Sequence, residues 1–241
     1  PHEPDPRVDK LMESIEELLP GSEDIEIDES LVLDLSGHES SELEVVADGG
    51  SVDLPLALKN RDVRIGNGVY RLGIGGLHSS ETRVSHYSDD EVVLLDRDVT
   101  SFYPMIKILL GLFPKRIGPN YLKVYKAIFD RRIAAKRAGN KNVAETLKIV
   151  LNGAFGKLGS LFSVFYAPDL MIQVTLTGQL AILMLIEQME LRGMHVVSAN
   201  TDGFVTKVPR NRRWQFNATC FDWENCYFLR YNCYSMVICF F

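Results

Sequence analysis

The sequence predicts an α+β fold, an antiparallel sheet backed by one long helix with a helical hairpin inserted in the chain between its strands. Three observations predict it. Two apolar, strand-like runs (92–95 and 196–199) lead into the acidic turn segments Asp98-Val99-Thr100-Ser101-Phe102-Tyr103-Pro104 and Asn200-Thr201-Asp202-Gly203. Between them, basic residues recur at helical spacing over 121–155. Residues 169–192 form a mostly apolar helical pattern that stops at Gly193.

Taken in order, residues 1–60 read as peripheral. An amphipathic helix is expected over 8–19, stopped by Pro20-Gly21. Acidic and apolar residues then alternate over 25–35, a weak strand signal. Asp24-Ile25-Glu26 has the D-x-E form of a metal-binding exonuclease site, but no second or third carboxylate motif accompanies it, so it reads as a surface strand. The strand 69–72 runs into Gly73-Ile74-Gly75-Gly76, which is neither a Walker loop nor a full dinucleotide fingerprint. It suits a turn or a close backbone approach to a ligand. Residues 91–98 read as a buried strand. Helices are expected over 121–137 and 142–155, separated by Gly139-Asn140. Strands 195–199 and 204–208 around Asn200-Thr201-Asp202-Gly203 read as a β-hairpin.

Composition and charge narrow the function. The chain has 241 residues and a net charge of −6. Residues 1–100 hold 24 Asp+Glu against 8 Lys+Arg, whereas 101–241 hold 8 against 18. The basic half suits a phosphate-bearing partner. No apolar run reaches the roughly 18 residues a membrane helix needs, because Gln173, Thr175, Thr177, Gln179, Glu187 and Gln188 interrupt the longest one. The opening Pro-His-Glu-Pro-Asp-Pro carries no secretion signal and no initiator Met, so an excised or processed piece and a cytoplasmic setting are expected. Cys220, Cys226, Cys233 and Cys239 match no C-x₂-C metal spacing and are expected to be reduced thiols.

Asp98 and Asp202 are the leading candidate metal ligands and catalytic groups. Carboxylates suit hard Mg²⁺, and two such ions can stabilise the attacking and leaving oxygens of a nucleotidyl transfer. Asp96 shares a strand face with Asp98. Backbone N–H groups in the turn holding Ser101, Phe102 and Tyr103 can grip a triphosphate. An aromatic ring there can exclude a 2′-hydroxyl by volume. Lys148, Asn152 and Phe155 fall at i, i+4 and i+7 on one helix face, and Arg132 and Lys136 at i, i+4 on the preceding helix. Cations there can neutralise β- and γ-phosphates. Arg131, Arg137 and Lys141 read as a plain solvated basic face.

The order Asp-x-x-Ser-Phe-Tyr-Pro, Lys-x-x-x-Asn-Gly-x-Phe-Gly, Asn-Thr-Asp-Gly resembles the family B (polymerase-alpha-like) DNA polymerases, and most of all phage or mobile-element members. The resemblance covers roughly residues 65–210. It implies a polymerase palm with an inserted helical-hairpin fingers subdomain. Asp98 and Asp202 take the metal-ligand positions of motifs A and C, and Tyr103 the sugar-gating position. Lys148, Asn152, Phe155 and Gly156 match motif B; Arg132 and Lys136 match the basic pair of the other fingers helix. Gly75 and Gly76 fall in a segment like the template-contact glycines of protein-primed members, and with Gly156 they are the expected DNA contacts. The implied domains are an acidic linker or remnant (1–64), palm (65–114), fingers (115–157), palm (158–210) and an atypical Cys/aromatic tail (211–241) in place of a thumb. The implied substrates are dNTP and primer–template DNA, with two Mg²⁺ ions that Mn²⁺ can replace, and a terminal protein or other replication factors as partners. The chain departs from the pattern at Asn200, where the family has Asp, at Gly203, where Ser is common, and at Phe155, where Tyr is usual. It shows no complete exonuclease domain and no Lys-rich thumb-proximal motif. A catalytically inactive fragment that binds nucleic acid, and a reverse transcriptase-like enzyme, stand as alternatives; the absence of a Tyr-x-Asp-Asp turn argues against the second.

Overall fold

The computed structural model describes residues 62–224. The expected helix at 8–19, the D-x-E segment and the cysteines after Cys220 lie outside the described residues. The described chain divides into two units, 103–173 and 62–102 with 174–224.

The second unit is built on a six-stranded antiparallel sheet of order β1-β2-β3-β5-β6-β4. Its strands are β1 (Asp62–Ile65), β2 (Gly68–Leu72), β3 (Leu77–Ser79), β4 (Val92–Asp98), β5 (His195–Asn200) and β6 (Gly203–Pro209). Strand β4 pairs with β6 along its whole length, from Val92↔Pro209 to Asp98↔Gly203. The sequence reads 91–98 as a buried strand, and here the structure corrects it. Strand β4 is an edge strand, half-buried over 92–95, with Asp96 and Asp98 exposed and Arg97 turned inward. One covered face and one solvated face impose this alternation at its acidic end. Strand β6 alternates cleanly, burying Phe204, Thr206 and Val208.

Helix α4 (Pro168–Leu191) starts with proline at its first position, where the missing N–H costs nothing. It ends in a Schellman motif: Gly193, at φ +67°, donates to Glu190 O (2.8 Å), and Met194 N–H reaches Met189 O (3.0 Å). The glycine is needed because that φ strains any residue with a Cβ. In length and apolar content this helix could cross a membrane, yet more than half of it is buried in protein. From residue 174 on, Val174, Ile182, Leu185, Ile186 and Met189 supply the core of the sheet unit. Helix α5 (Arg213–Glu224) closes that core with Phe216, Cys220 and Trp223, whose indole Nε1–H donates to Ala181 O at 3.0 Å.

The first unit is helical: α1 (Phe102–Leu109, from Tyr103 on), α2 (Asn120–Arg137) and α3 (Lys141–Gly156), followed by a 3₁₀ turn at Lys157–Gly159. Pro119 precedes α2, and Gly139 (φ +71°) turns the chain after it. Asn140 then caps α3, its side-chain oxygen accepting from Val143 N–H at 3.2 Å. This helical unit covers residues 103–173. Residues on both sides pack onto α2: Lys107 of α1 meets Tyr121 and Tyr125, and Phe165 lies edge-on to Tyr121 with centroids 5.3 Å apart.

Candidate active site

In the sheet unit, the β5–β6 turn and the end of β4 lie side by side. Asp98 is paired in register with Gly203, and Val99 N–H donates to Asp202 O at 2.8 Å. The two acidic segments the sequence singles out, about a hundred residues apart, are therefore neighbours through one strand ladder. The turn is tight: Asp202 N–H closes back onto Asn200 O at 2.7 Å around Thr201, which sits at φ +55°. That conformation is unfavourable for a β-branched residue and marks a place where surrounding contacts hold the backbone. Ser101, just after Asp98, has the same φ of +55°. Gly203 allows the close approach, since a Cβ built there would lie 3.0 Å from Arg97 O and 3.3 Å from Asp98 Oδ1.

The glycine segment belongs to this same place. Thr201 N–H donates to Leu77 O (2.7 Å), and His78 pairs with Asn200. A Cβ on Gly76 would come within 2.6–2.9 Å of the Thr201 side chain. The absence of a side chain at Gly76 thus lets β3 seat the acidic turn. Gln179 holds the other end of the segment. It is wholly buried in α4, accepts from Gly73 N–H (2.8 Å) and donates to Gly73 O (3.0 Å) and to Thr175 O (3.1 Å). Sequence reasoning counted Gln179 only among the polar interruptions of the apolar helix and missed it as a positioning residue. It also missed Arg97, buried between the two exposed aspartates of β4. The Arg97 guanidinium lies 5.2 Å from the Phe216 ring centroid and donates to Asn217 Oδ1.

In the helical unit, Tyr103 and Phe155 meet, with ring centroids 4.9 Å apart and planes tilted by 44°. Lys148, Asn152 and Gly156 are exposed along α3. Arg132 departs from the expected basic face: at 6% exposure it is buried, whereas Lys136, one turn on, is exposed. Phe102 is likewise a core residue, at 2% exposure. The unit carries 12 Lys+Arg against 3 Asp+Glu. One of the twelve is Lys107, which the sequence reading passed over within an apolar run. It is fully buried, its Nζ donates to Tyr121 OH at 2.8 Å, and it lies 3.7 Å from the Tyr125 ring centroid. Burial lowers its pKa from 10.5 to about 7. Tyr125 in turn donates its hydroxyl to Leu151 O (3.2 Å), one turn from Lys148.

Asp98 and Asp202 offer hard oxygen donors, the type Mg²⁺ takes while keeping water and phosphate oxygens as its other ligands. No group of three or more His, Cys, Asp or Glu side chains that could hold a metal occurs among the described residues. A pair suits an ion that draws most of its ligands from a substrate.

No protein-family model matches the chain. Among curated proteins the chain is similar to DNA polymerase II of Escherichia coli (strain K12), with 33% identity over 75 residues. The match takes in 31% of this chain and 10% of that protein. The chain thus spans about a tenth of the length of the curated relative it matches. This similarity supports a general relationship to DNA polymerases.

Proposed function

We propose that this chain carries the catalytic core of a template-directed DNA polymerase of the family B type, of phage or mobile-element kind. The observation that carries the reading is the Asp98–Gly203 register, which sets two carboxylate-bearing turns side by side at one end of an antiparallel sheet. The partial similarity to a DNA polymerase supports it.

On this reading the primer 3′-oxygen attacks the α-phosphorus of a dNTP, the new P–O bond forms, and the bond to pyrophosphate breaks. Asp98 and Asp202 would hold two Mg²⁺ ions, which supply charge stabilisation at the attacking and leaving oxygens when bound. Lys148, with Lys136, binds the triphosphate and offsets charge on the departing pyrophosphate. Backbone N–H groups at Ser101 orient the phosphates. Tyr103, backed by Phe155, occupies the volume a 2′-hydroxyl would need, and Asn152 lines the nascent base pair. Gly75 and Gly156, which are exposed, let the DNA backbone approach the chain, whereas Gly76 is packed against Thr201.

Primer extension on DNA and RNA templates tests the reading. The wild-type chain extends a DNA-templated primer with dNTPs, Asp202→Asn does not, and Tyr103→Ala admits ribonucleotides. Extension by Asp202→Asn removes the metal assignment. A second reading, nucleic-acid binding without turnover, is favoured by Asn200 Oδ1, which accepts from Thr201 Oγ1 (3.1 Å) where a third carboxylate would otherwise stand. Salt-dependent DNA binding with no extension by the wild-type chain would select it.

A further inference from the structure

At the opposite end of the sheet unit from the carboxylates, four arginines and a tryptophan are exposed together. Strand β6 runs from Gly203, the partner of Asp98, to Pro209, so its far end lies about 20 Å away at roughly 3.3 Å per residue. There the chain reads Pro209-Arg210-Asn211-Arg212-Arg213-Trp214, and Arg192 follows the end of α4. Arg212 Nη1 donates to Arg192 O at 3.3 Å, which joins the two segments. Arg192 itself donates to Gln188 O (3.0 Å) and to Gln188 Oε1.

Arg192, Arg210 and Arg212 donate to carbonyl and amide oxygens. Among the described residues none of the four forms an ion pair with a carboxylate. Arg210 is the least available, since its Nε donates to Asp89 O (2.7 Å) and its charge, with that of Lys207, acts on the Asp89 carboxylate. That carboxylate accepts from Glu91 and Val92 N–H groups and is held by its own loop. Arg192, Arg212 and Arg213 have no carboxylate partner among the described residues. Beside them Trp214 is 67% exposed, while the other described tryptophan, Trp223, is buried. One and two turns further along α5, Ala218 and the exposed Phe221 continue the face that Trp214 opens.

We propose that this arginine–tryptophan surface is a second nucleic-acid site that takes single-stranded DNA. Planar guanidinium groups pair with phosphate in a fork that lysine lacks. An exposed indole between such cations offers a stacking platform to an unpaired base, the combination that recurs in single-strand binding. A duplex would present phosphates to the arginines but keep its base faces away from Trp214. The proposal rests on these residues alone and not on the catalytic reading.

Titration of the full chain with oligothymidylate, read by tryptophan emission, tests it. Saturable quenching is expected in the wild type and in Asp98→Ala, and its loss in Trp214→Phe, where the buried Trp223 remains as the internal reference. The double variant Arg212→Ala/Arg213→Ala, whose substitutions are on the surface, keeps its circular dichroism and binds at least tenfold more weakly. Its slope of log affinity against log salt falls by about 1.4, since each phosphate neutralised on a single strand contributes about 0.7. Absence of quenching overturns the site, as does an unchanged salt slope in the double variant. Equal quenching by polyglutamate would reassign it to acidic proteins, and tighter binding of duplex than of single strand would remove the stacking role.

Discussion

Lys107 holds its nitrogen between Tyr121 and Tyr125 with no solvent exposure, and its pKa falls from 10.5 to about 7 because burial penalises the ammonium. The Tyr125 ring face and the Tyr121 oxygen favour the charged form and partly offset that penalty. The unfolded chain therefore keeps a proton up to about pH 10.5 that the folded chain releases above about pH 7. Stability contributed here rises with pH through that window and is flat below it. Relative to Lys107→Met, the wild type is predicted to gain up to about 3 kcal/mol between pH 7 and pH 9.5, measured by urea denaturation at each pH. Tyr121 and Tyr125, pushed upward by burial, stay protonated across this range. At Gly76 the issue is space. Gly76→Ala would drive a Cβ into Thr201, at a cost of about 2 kcal/mol by denaturant unfolding, and would displace the turn that carries Asp202.

Among the elements, α4 is both core and clamp. Its Gln179 satisfies both backbone groups of Gly73, so Gln179→Leu leaves a part-buried N–H and C=O without that partner and is predicted to cost about 1–3 kcal/mol in urea unfolding. Gln179→Glu keeps the acceptor for Gly73 N–H but loses both donated bonds. The elements themselves were largely legible in the sequence. Gly193 stopped α4 as read, Gly139-Asn140 separated α2 from α3, and the Asn200-Thr201-Asp202-Gly203 turn joined two strands, because each signal is a local backbone preference. What was not legible depends on neighbours distant in sequence. The edge position of β4 follows from its pairing with β6, the packing of Gly76 on Thr201 joins positions 125 apart, and Lys107 is buried against rings of another helix. Periodicity placed Arg132 with Lys136 on a phosphate-binding face because i, i+4 spacing fixes a side of a helix, not what covers it.

Across the whole molecule, the charge is sorted along the sequence: acidic before residue 100, basic after it, with the helical unit carrying 12 Lys+Arg against 3 Asp+Glu. That distribution favours a polyanionic partner and predicts binding that weakens steeply with salt. Binding alone does not distinguish an enzyme from a nucleic-acid-binding fragment, whereas chemistry at the carboxylate pair does. The deciding measurement is single-nucleotide extension of a primed DNA template in Mg²⁺, wild type against Asp98→Ala at matched DNA occupancy. Incorporation by the wild-type chain is expected, falling by about a hundred- to a thousandfold in Asp98→Ala, the scale on which removal of a preorganised charge-stabilising group acts. Incorporation that persists in Asp98→Ala would contradict that expectation.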